Sequence, residues 1–342
     1  MVELNGKKIL VTFLMHLGDL TLTTPFIHAL RKAAPDAHIT MLVDEKLKDV
    51  VLFNPYLDEV VTIDKKGRDN SILSLWVCSR HLSKLDFDVL INLHPNERCS
   101  FIDAMTSVKL RTGTTHKIFK WFWDVFTPLD RSMHAADMYL DVLQQLGVQD
   151  LSNNGLEIFP GEEHFLEAEL FWQEQNITDQ DKLIGFNIGS AVPTKRWPPE
   201  RFAEVADIFA AKGYKTVFFG GPMDEEMVAE ATGYMQTRPI IATGHFAIGG
   251  LAAAMRRCCL IITNDSGPMH VAISQKVPIV AMYGPSNPKL YGPYTKDAVI
   301  VTAQPPCQGC ADGMKHSCDD LQCMTRMTVE QVVKAADTML NK

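Results

Sequence analysis

The stretch Leu260-Ile-Ile-Thr-Asn264-Asp265-Ser266-Gly267-Pro268-Met269-His270 has the residue types of a phosphate site. A short apolar run stops at Asn-Asp-Ser-Gly-Pro and a helix-compatible stretch follows, so a strand runs into a helix N-terminus. Asp265 and Ser266 are good N-cap types, and Pro268 suits a first helical turn. Gly267 lets another group approach the backbone. Helix N–H groups and the positive dipole end then favour an anion. His270 follows Ser266 by four residues, so both can face one ligand. The competing reading is an ordinary capped helix with a surface histidine.

Three further loops carry chemistry. In Asn187-Ile-Gly189-Ser190-Ala-Val-Pro-Thr194-Lys195-Arg196-Trp197-Pro198-Pro199, Gly189 and Ser190 offer donors to a phosphate, and Lys195 and Arg196 supply positive charge on a rigid Trp-Pro-Pro support. A cationic loop in an acidic chain suits an anionic ligand; the alternative is a solvated surface loop. In Leu14-Met-His16-Leu-Gly18-Asp19, the carboxylate of Asp19 falls between a buried strand and a helix. It can accept a proton from an incoming hydroxyl or simply cap the helix. In Gly220-Gly221-Pro222-Met223-Asp224-Glu225-Glu226, the glycines allow close approach and a carboxylate can hold ribose hydroxyls. Acidic residues in a first helical turn also favour the dipole without any ligand. Neither Gly-x-Gly-x-x-Gly nor a Walker A sequence is present, so a nicotinamide enzyme is not indicated.

The elements behind these loops alternate strand and helix, the signature of α/β architecture. Strands are expected at 8–13, 38–43, 59–63, 87–92 and 109–113, then at 182–187, 214–219, 240–242, 260–263 and 278–282. Helices are expected at 24–33, 46–52, 70–83, 199–211, 224–235, 248–257 and 328–340, with a partly helical crossing at about 150–181. Two doubly wound domains are the economical reading, with ligands beyond the carboxyl ends of the strands. The turn Tyr283-Gly284-Pro285-Ser286-Asn287-Pro288 is expected to shape the same cleft.

Bulk properties agree. The chain has 342 residues, 46% hydrophobic and 22% charged, with a net charge of −8. That length fits two domains, and the acidic balance argues against nucleic acid as a partner. No apolar run near the start reads as a signal peptide, and none approaches the ~18–20 residues of a spanning helix; a cytoplasmic protein is expected. Cys78, Cys99, Cys258 and Cys259 read as buried thiols. Cys307, Cys310, Cys318 and Cys323 have the spacing Cys-x2-Cys-x7-Cys-x4-Cys, in which four thiolates can converge on a structural metal. Reduced thiols or a disulfide formed on oxidation are the alternatives.

Together the loops resemble glycosyltransferase family 9, the bacterial heptosyltransferases of lipopolysaccharide core assembly. The matching pieces, over most of the chain, are Gly18-Asp19, Lys195-x-Trp-Pro, Gly-x-x-x-Glu from Gly221 to Glu225, Asp265-Ser266-Gly267-x-x-His270 and Tyr283-Gly284-Pro285. The resemblance implies a GT-B fold: two Rossmann-like doubly wound domains facing a cleft. An acceptor-binding domain would span 1–160, a nucleotide-sugar domain 161–327, and a closing helix 328–342. It implies inverting transfer from an ADP-sugar substrate, with no cofactor required. In that picture Asp19 is the general base and Lys195 offsets charge on the departing diphosphate. Ser190 contacts phosphate, Glu225 binds ribose, and Phe246 covers the adenine. Asp265 touches the sugar, while Ser266, Gly267 and His270 form the pyrophosphate site. Ser266 keeps the hydroxyl where the family often has Thr.

The partners so implied are a nucleotide-sugar donor and a lipopolysaccharide-type glycolipid acceptor, with peripheral contact at the cytoplasmic face of the inner membrane. Lys109-Leu-Arg111 and His116-Lys117-Ile-Phe119-Lys120-Trp121-Phe122-Trp123 mix basic and aromatic residues as a bilayer-resting face does. Such aromatics are more often core, and core is the expectation here. Rival functions are a sugar-nucleotide epimerase of the same fold and a nucleotide-sugar binding protein without turnover.

Overall fold

The computed structural model describes residues 2–303, 310, 318 and 320–342. The chain separates into two compact units, Met1–Phe159 and Pro160–Lys342.

The first unit is built on a parallel sheet of β1 (Lys8–Thr12), β2 (His38–Asp44), β3 (Glu59–Ile63), β4 (Phe87–Asn92), β5 (Val108–Gly113) and β6 (Val125–Phe126). Its strand order is β3-β2-β1-β4-β5-β6. The second unit holds β7 (Leu183–Asn187), β8 (Lys215–Phe219), β9 (Ile240–Ile241), β10 (Cys258–Asn264), β11 (Ile279–Met282) and β12 (Ala298–Val301), also parallel. Here the order is β12-β11-β10-β7-β8-β9. Both follow one path: the first strand is central, the next two extend to one side, and the chain then reverses to fill the other. Each reversal opens a crevice, between β1 and β4 in one unit and between β7 and β10 in the other.

Central strands read as unbroken apolar runs because helices cover both faces of a parallel sheet. Ile9, Leu10 and Val11 in β1, and Leu260, Ile261 and Ile262 in β10, are fully buried. In the second unit Phe186 stacks on Phe218 at 5.2 Å between ring centres. The helix Val329–Leu340 joins this core through Val332 and Ala336. Ser71 and Ser74 form a reciprocal cap at the start of the helix Ile72–Ser83.

Some elements lie outside the sequence expectation. β6 is two residues long and β12 is an edge strand, both too short or too mixed to show a period. The helix Ala135–Gln145 is capped by His134, which accepts the Ala136 N–H at 3.2 Å; histidine is not among the usual cap signals. The helices Leu17–Thr21 and Glu97–Met105 were likewise not foreseen. Among the described residues, no helix is long and apolar enough to cross a membrane.

Candidate active site

The crevice of the second unit lies at the ends of β7 and β10, and polar side chains knit it together. Asn187 closes β7, and its Nδ2 donates to Thr263 Oγ1 at 3.0 Å and to Ser266 Oγ at 2.8 Å. Asn264 closes β10 and answers in the other direction: its Nδ2 donates to the Ile188 carbonyl at 2.7 Å, and its Oδ1 accepts the Trp197 N–H at 3.1 Å. Trp197 is fully buried, and its indole N–H donates to the Met327 carbonyl at 3.1 Å. The loop after β7 is therefore pinned at both ends.

That pinning places Lys195 Nζ 2.7 Å from Asp265 Oδ2, with the lysine side chain 17% and the aspartate 7% exposed. Ser286 donates to the same carboxylate oxygen. Ser190 is buried, and its Oγ reaches the Asp265 carbonyl at 3.4 Å. The Arg196 guanidinium turns back to donate to the Ser190 carbonyl at 2.8 Å. A solvated loop would show none of this; the loop is a built cation site.

The helix Gly267–Ser274 starts at this point with Ser266 as its N-cap residue. The expectation that Asp265 or Ser266 caps it needs correction. Among the described residues no side chain caps the helix, because Ser266 Oγ is held by Asn187 and faces Asn264 O at 3.4 Å, while Asp265 is held by Lys195 and Ser286. Among the described residues, the helix start thus carries no side-chain acceptor, a condition under which a ligand anion gains. His270 is buried, so the surface-histidine reading also fails. Tyr283 is fully buried beside this site, its hydroxyl donating to the Tyr291 carbonyl at 2.9 Å. Burial first, and then the charge of Asp265, raise its pKa well above the ordinary tyrosine value.

The loop after β8 separates two neighbouring acids. Asp224 is buried and accepts the Gly221 N–H at 2.9 Å. A side chain at Gly189 would collide with it, since an added Cβ would lie 2.1 Å from Asp224 Oδ1. Glu225 begins the helix Glu225–Tyr234 and is exposed. Beside it Gly244 sits at φ +74, where a Cβ would come 2.7 Å from Glu225 Oε1. Phe246 is half-buried in an aromatic group with Phe171 at 5.0 Å and His245 at 4.7 Å. An exposed carboxylate near an aromatic face can take a nucleoside's hydroxyls and base.

In the first unit the crevice lies between the loops after β1 and β4. Asp19 falls in the first turn of the helix Leu17–Thr21, whose N-cap is His16, so the aspartate is not the cap. Its carboxylate is 22% exposed and 3.7 Å from His16 Nδ1. Lys65, arriving after β3, donates to the carbonyls of Leu14 and Met15 at 2.7 and 3.0 Å and pairs with Asp44 at 3.1 Å. It clamps the loop that carries Asp19. From the β4 side His94 is buried, with its backbone N–H on Asn92 Oδ1 at 2.6 Å. Burial, and then Lys65, pull its pKa down to about 4, so it is neutral at physiological pH. Behind it Asp103 is fully buried and accepts Thr12 Oγ1 at 2.8 Å; burial pushes its pKa up to about 8.

Within the second unit, then, Ser190, Lys195, Asp265 and Ser266 come together, with His270 buried in the helix that follows and Glu225 and Phe246 on the neighbouring loops. Sequence reasoning missed Asn187, Asn264 and Ser286, which brace the cation site, and Lys65 and His94, which flank Asp19. Asparagine as the last residue of both β7 and β10 was the one visible signal.

The cysteine expectation is not supported. Cys307 lies outside the described residues. Among the described residues, no group of three or more His, Cys, Asp or Glu is placed to hold a metal ion. Cys323 is buried in the core of the second unit, while Cys318 Sγ turns to the Asp320 carbonyl at 3.1 Å. Cys99 and Cys258 are buried as expected, and Cys78 and Cys259 partly so; burial pushes the Cys78 thiol up to about 12. Aromatic burial at 109–123 also holds only in part. Trp123 is buried with its indole N–H on the Thr112 carbonyl at 3.0 Å, whereas Trp121 is exposed.

Two doubly wound units of one strand order, with a polar cradle at the reversal of one sheet and a carboxylate at that of the other, define a GT-B glycosyltransferase. The family described as glycosyltransferase family 9 (heptosyltransferase) matches residues 75–318, and the chain belongs to that family. Among solved structures, a glycosyl transferase family 9 protein from Veillonella parvula is similar at 54% identity, over 99% of each chain, with a TM-score of 0.95. ADP-heptose lps heptosyltransferase II of E. coli shares the fold, with a TM-score of 0.81 at 21% identity over 98% of each chain. Lipopolysaccharide heptosyltransferase 3 of Escherichia coli K12 is 24% identical over 300 residues, 82% of this chain and 84% of that protein.

Proposed function

We propose that the protein transfers a heptose-like sugar, with inversion, from an ADP-sugar to a lipopolysaccharide-type glycolipid acceptor. The observation that carries this reading is the Lys195–Asp265 pair beside the uncapped start of the helix Gly267–Ser274. The second unit (with the closing helix 328–342) binds the donor. The diphosphate sits at the helix start against Ser190, Ser266, Gly267 and Lys195, with His270 behind. Glu225 takes the ribose hydroxyls, Phe246 covers the adenine, and Asp265 reaches the sugar. The first unit binds the acceptor and supplies Asp19.

The acceptor hydroxyl attacks the anomeric carbon as Asp19 takes its proton. The bond from that carbon to the diphosphate oxygen breaks, and ADP leaves with its new charge met by Lys195 and the helix N-terminus. Chemistry of this kind requires the acceptor beside Asp19 and the donor to come within reach of each other. A lipid acceptor places the protein, in this reading, in peripheral contact with the cytoplasmic face of a membrane. Membership of a glycosyltransferase family favours transfer over the epimerase and binding-protein alternatives.

The test is thermal unfolding with a panel of nucleotide sugars, followed by product analysis. A ligand that binds only the folded state raises its apparent stability. ADP-sugars are expected to raise Tm above UDP- and GDP-sugars, and added glycolipid acceptor to release ADP in step with sugar transfer. An equal response to UDP-sugars would remove the adenine assignment. Conversion of the donor to an epimer without acceptor would establish the rival enzyme instead.

A further inference from the structure

The helix Ile72–Ser83 packs its Leu75, Ser79 and Leu82 inward. Its outer face is Ile72, Leu73, Trp76, Val77, Arg80, His81 and, just past the end, Lys84, all exposed. These positions recur at helical spacing, so they form one stripe. The stripe is divided along its length: four large apolar residues lie toward the N-terminus and the basic ones toward the C-terminus. Ile72 is 75% and Leu73 69% exposed. A solvent-facing stripe with that content has no folding rationale, because large apolar groups gain by leaving water.

A second apolar group lies nearby. The 3-10 turn Lys117–Phe122 and the helix Ile72–Ser83 both pack on the helix Glu97–Met105. Trp121 is 83% and Ile118 56% exposed on this turn, flanked by Lys117 and Lys120. The turn follows β5 and the helix Ile72–Ser83 follows β3, so the turn and the apolar end of the stripe both lie toward the carboxyl edge of the sheet. Asp19, after β1, lies at that same edge.

The charges fit one kind of occupant. Arg80, Lys84 and Lys117 form no ion pair among the described residues, and Lys120 lies over the Phe126 ring at 4.3 Å. Exposed acids on this face are already engaged: Glu97 faces His116 at 3.9 Å, and Asp124 accepts the Arg111 N–H at 2.7 Å. The protein as a whole is acidic, with a net charge of −8, so this face is a local exception. From Trp76 to Lys84 the helix rises roughly 12 Å. Interfacial groups reach ~5–10 Å into the headgroup and acyl boundary. With the apolar end inserted, Arg80 and Lys84 therefore stand at the level of lipid phosphates.

We propose that this face, Ile72, Leu73, Trp76, Val77, Ile118 and Trp121 with their bordering cations, is a docking surface for an anionic lipid bilayer. The choice of a bilayer rests on the glycolipid acceptor of the proposed function; the surface itself does not. Docked so, the carboxyl edge that bears Asp19 turns toward the layer in which a lipid-borne hydroxyl is presented.

The test is co-sedimentation of the full-length protein with vesicles of phosphatidylcholine alone and of phosphatidylcholine mixed with phosphatidylglycerol. Wild type is expected to bind the mixed vesicles and to be released by salt. The pair Trp76→Ser and Trp121→Ser is expected to weaken binding at least ~10-fold, since both indoles supply interfacial anchoring. The set Arg80→Gln, Lys84→Gln and Lys117→Gln should abolish the preference for anionic lipid. All five side chains are exposed, so an unchanged Tm shift with ADP-sugar confirms folding, and quenching of wild-type tryptophan fluorescence by brominated lipid gives a second readout. Equal binding to neutral vesicles, or variants that bind as wild type does, would overturn the proposal. So would a wild-type dimer in gel filtration that becomes monomeric on replacing the tryptophans, which would make the face a contact between copies. Transfer to a deacylated, water-soluble acceptor separates the two readings: it persists in these variants if only docking is affected, and is absent from wild type if the proposed function is wrong.

Discussion

The two units share one strand order yet fill their crevices differently. In the second, the reversal between β7 and β10 is lined by donors and a cation held in a fixed lattice: Asn187, Asn264, Ser266 and the Lys195–Asp265 pair. In the first, the reversal between β1 and β4 is lined by Asp19, His16 and a neutral His94, with Lys65 holding the loop from below. In the proposed function one crevice grips charge and the other moves a proton. The difference shows that topology fixes where a site lies, while the residues closing each strand decide what it does.

The sharpest way to break the comparison is Asp19→Asn. Turnover should fall by at least ~100-fold, as general-base contributions are typically 10²–10⁴, while ADP affinity by calorimetry stays close to wild type. A parallel loss of ADP affinity would place Asp19 in the gripping site. Lys195→Ala should act on the other crevice, lowering both ADP affinity and turnover, the latter by on the order of 10–100-fold. It should also lower Tm without ligand, because Asp265 is left buried without its cation. Kinetics like wild type would dismiss the role of Lys195. Glu225→Gln is milder, with donor KM raised by about tenfold or less and kcat kept, for an interaction equal in ground and transition states.

The smallest effect concerns stability alone. His94 has a folded pKa of about 4, below its ordinary value of 6.5. The unfolded chain therefore takes up a proton first, and stability declines as pH falls from about 6.5 toward 4. Asp103 has a folded pKa of about 8, above its ordinary 3.8, so its burial costs stability increasingly as pH rises between those values. Asp103→Asn, which keeps an acceptor for Thr12, should flatten the stability profile above pH 4 and leave ADP binding untouched. Urea midpoints across that range check it, and a profile as steep as wild type would mean that Asp103 ionises in the fold.

Much of the framework was legible because parallel strands covered on both faces must be apolar throughout, and runs such as Leu260–Ile262 have no other home. The loops were legible too, since Gly, Pro and Asp at strand ends mark them. What escaped were contacts between distant positions. Nothing local shows that Asn264 will hold Trp197, or that Ser286 will reach Asp265. Ser266 has the right type and place for a cap, but Asn187, seventy-nine positions away, takes its hydroxyl. The helix Ala135–Gln145 was missed because a histidine opens it. Trp121 and Trp123 are two residues apart with opposite fates, which composition cannot separate.

One consequence follows from the pairing of Lys195 with Asp265. The lysine is already matched by a tethered carboxylate, so in the proposed function a diphosphate that arrives must displace a resident rival. The exchange swaps one anion for another, so it spares the pocket the cost of a bare ammonium in a half-dry recess. It also works in reverse. On the same reading, once the sugar has gone, spent nucleotide would compete with an acid that never diffuses away, and an occupant built to be gripped would also be readily let go.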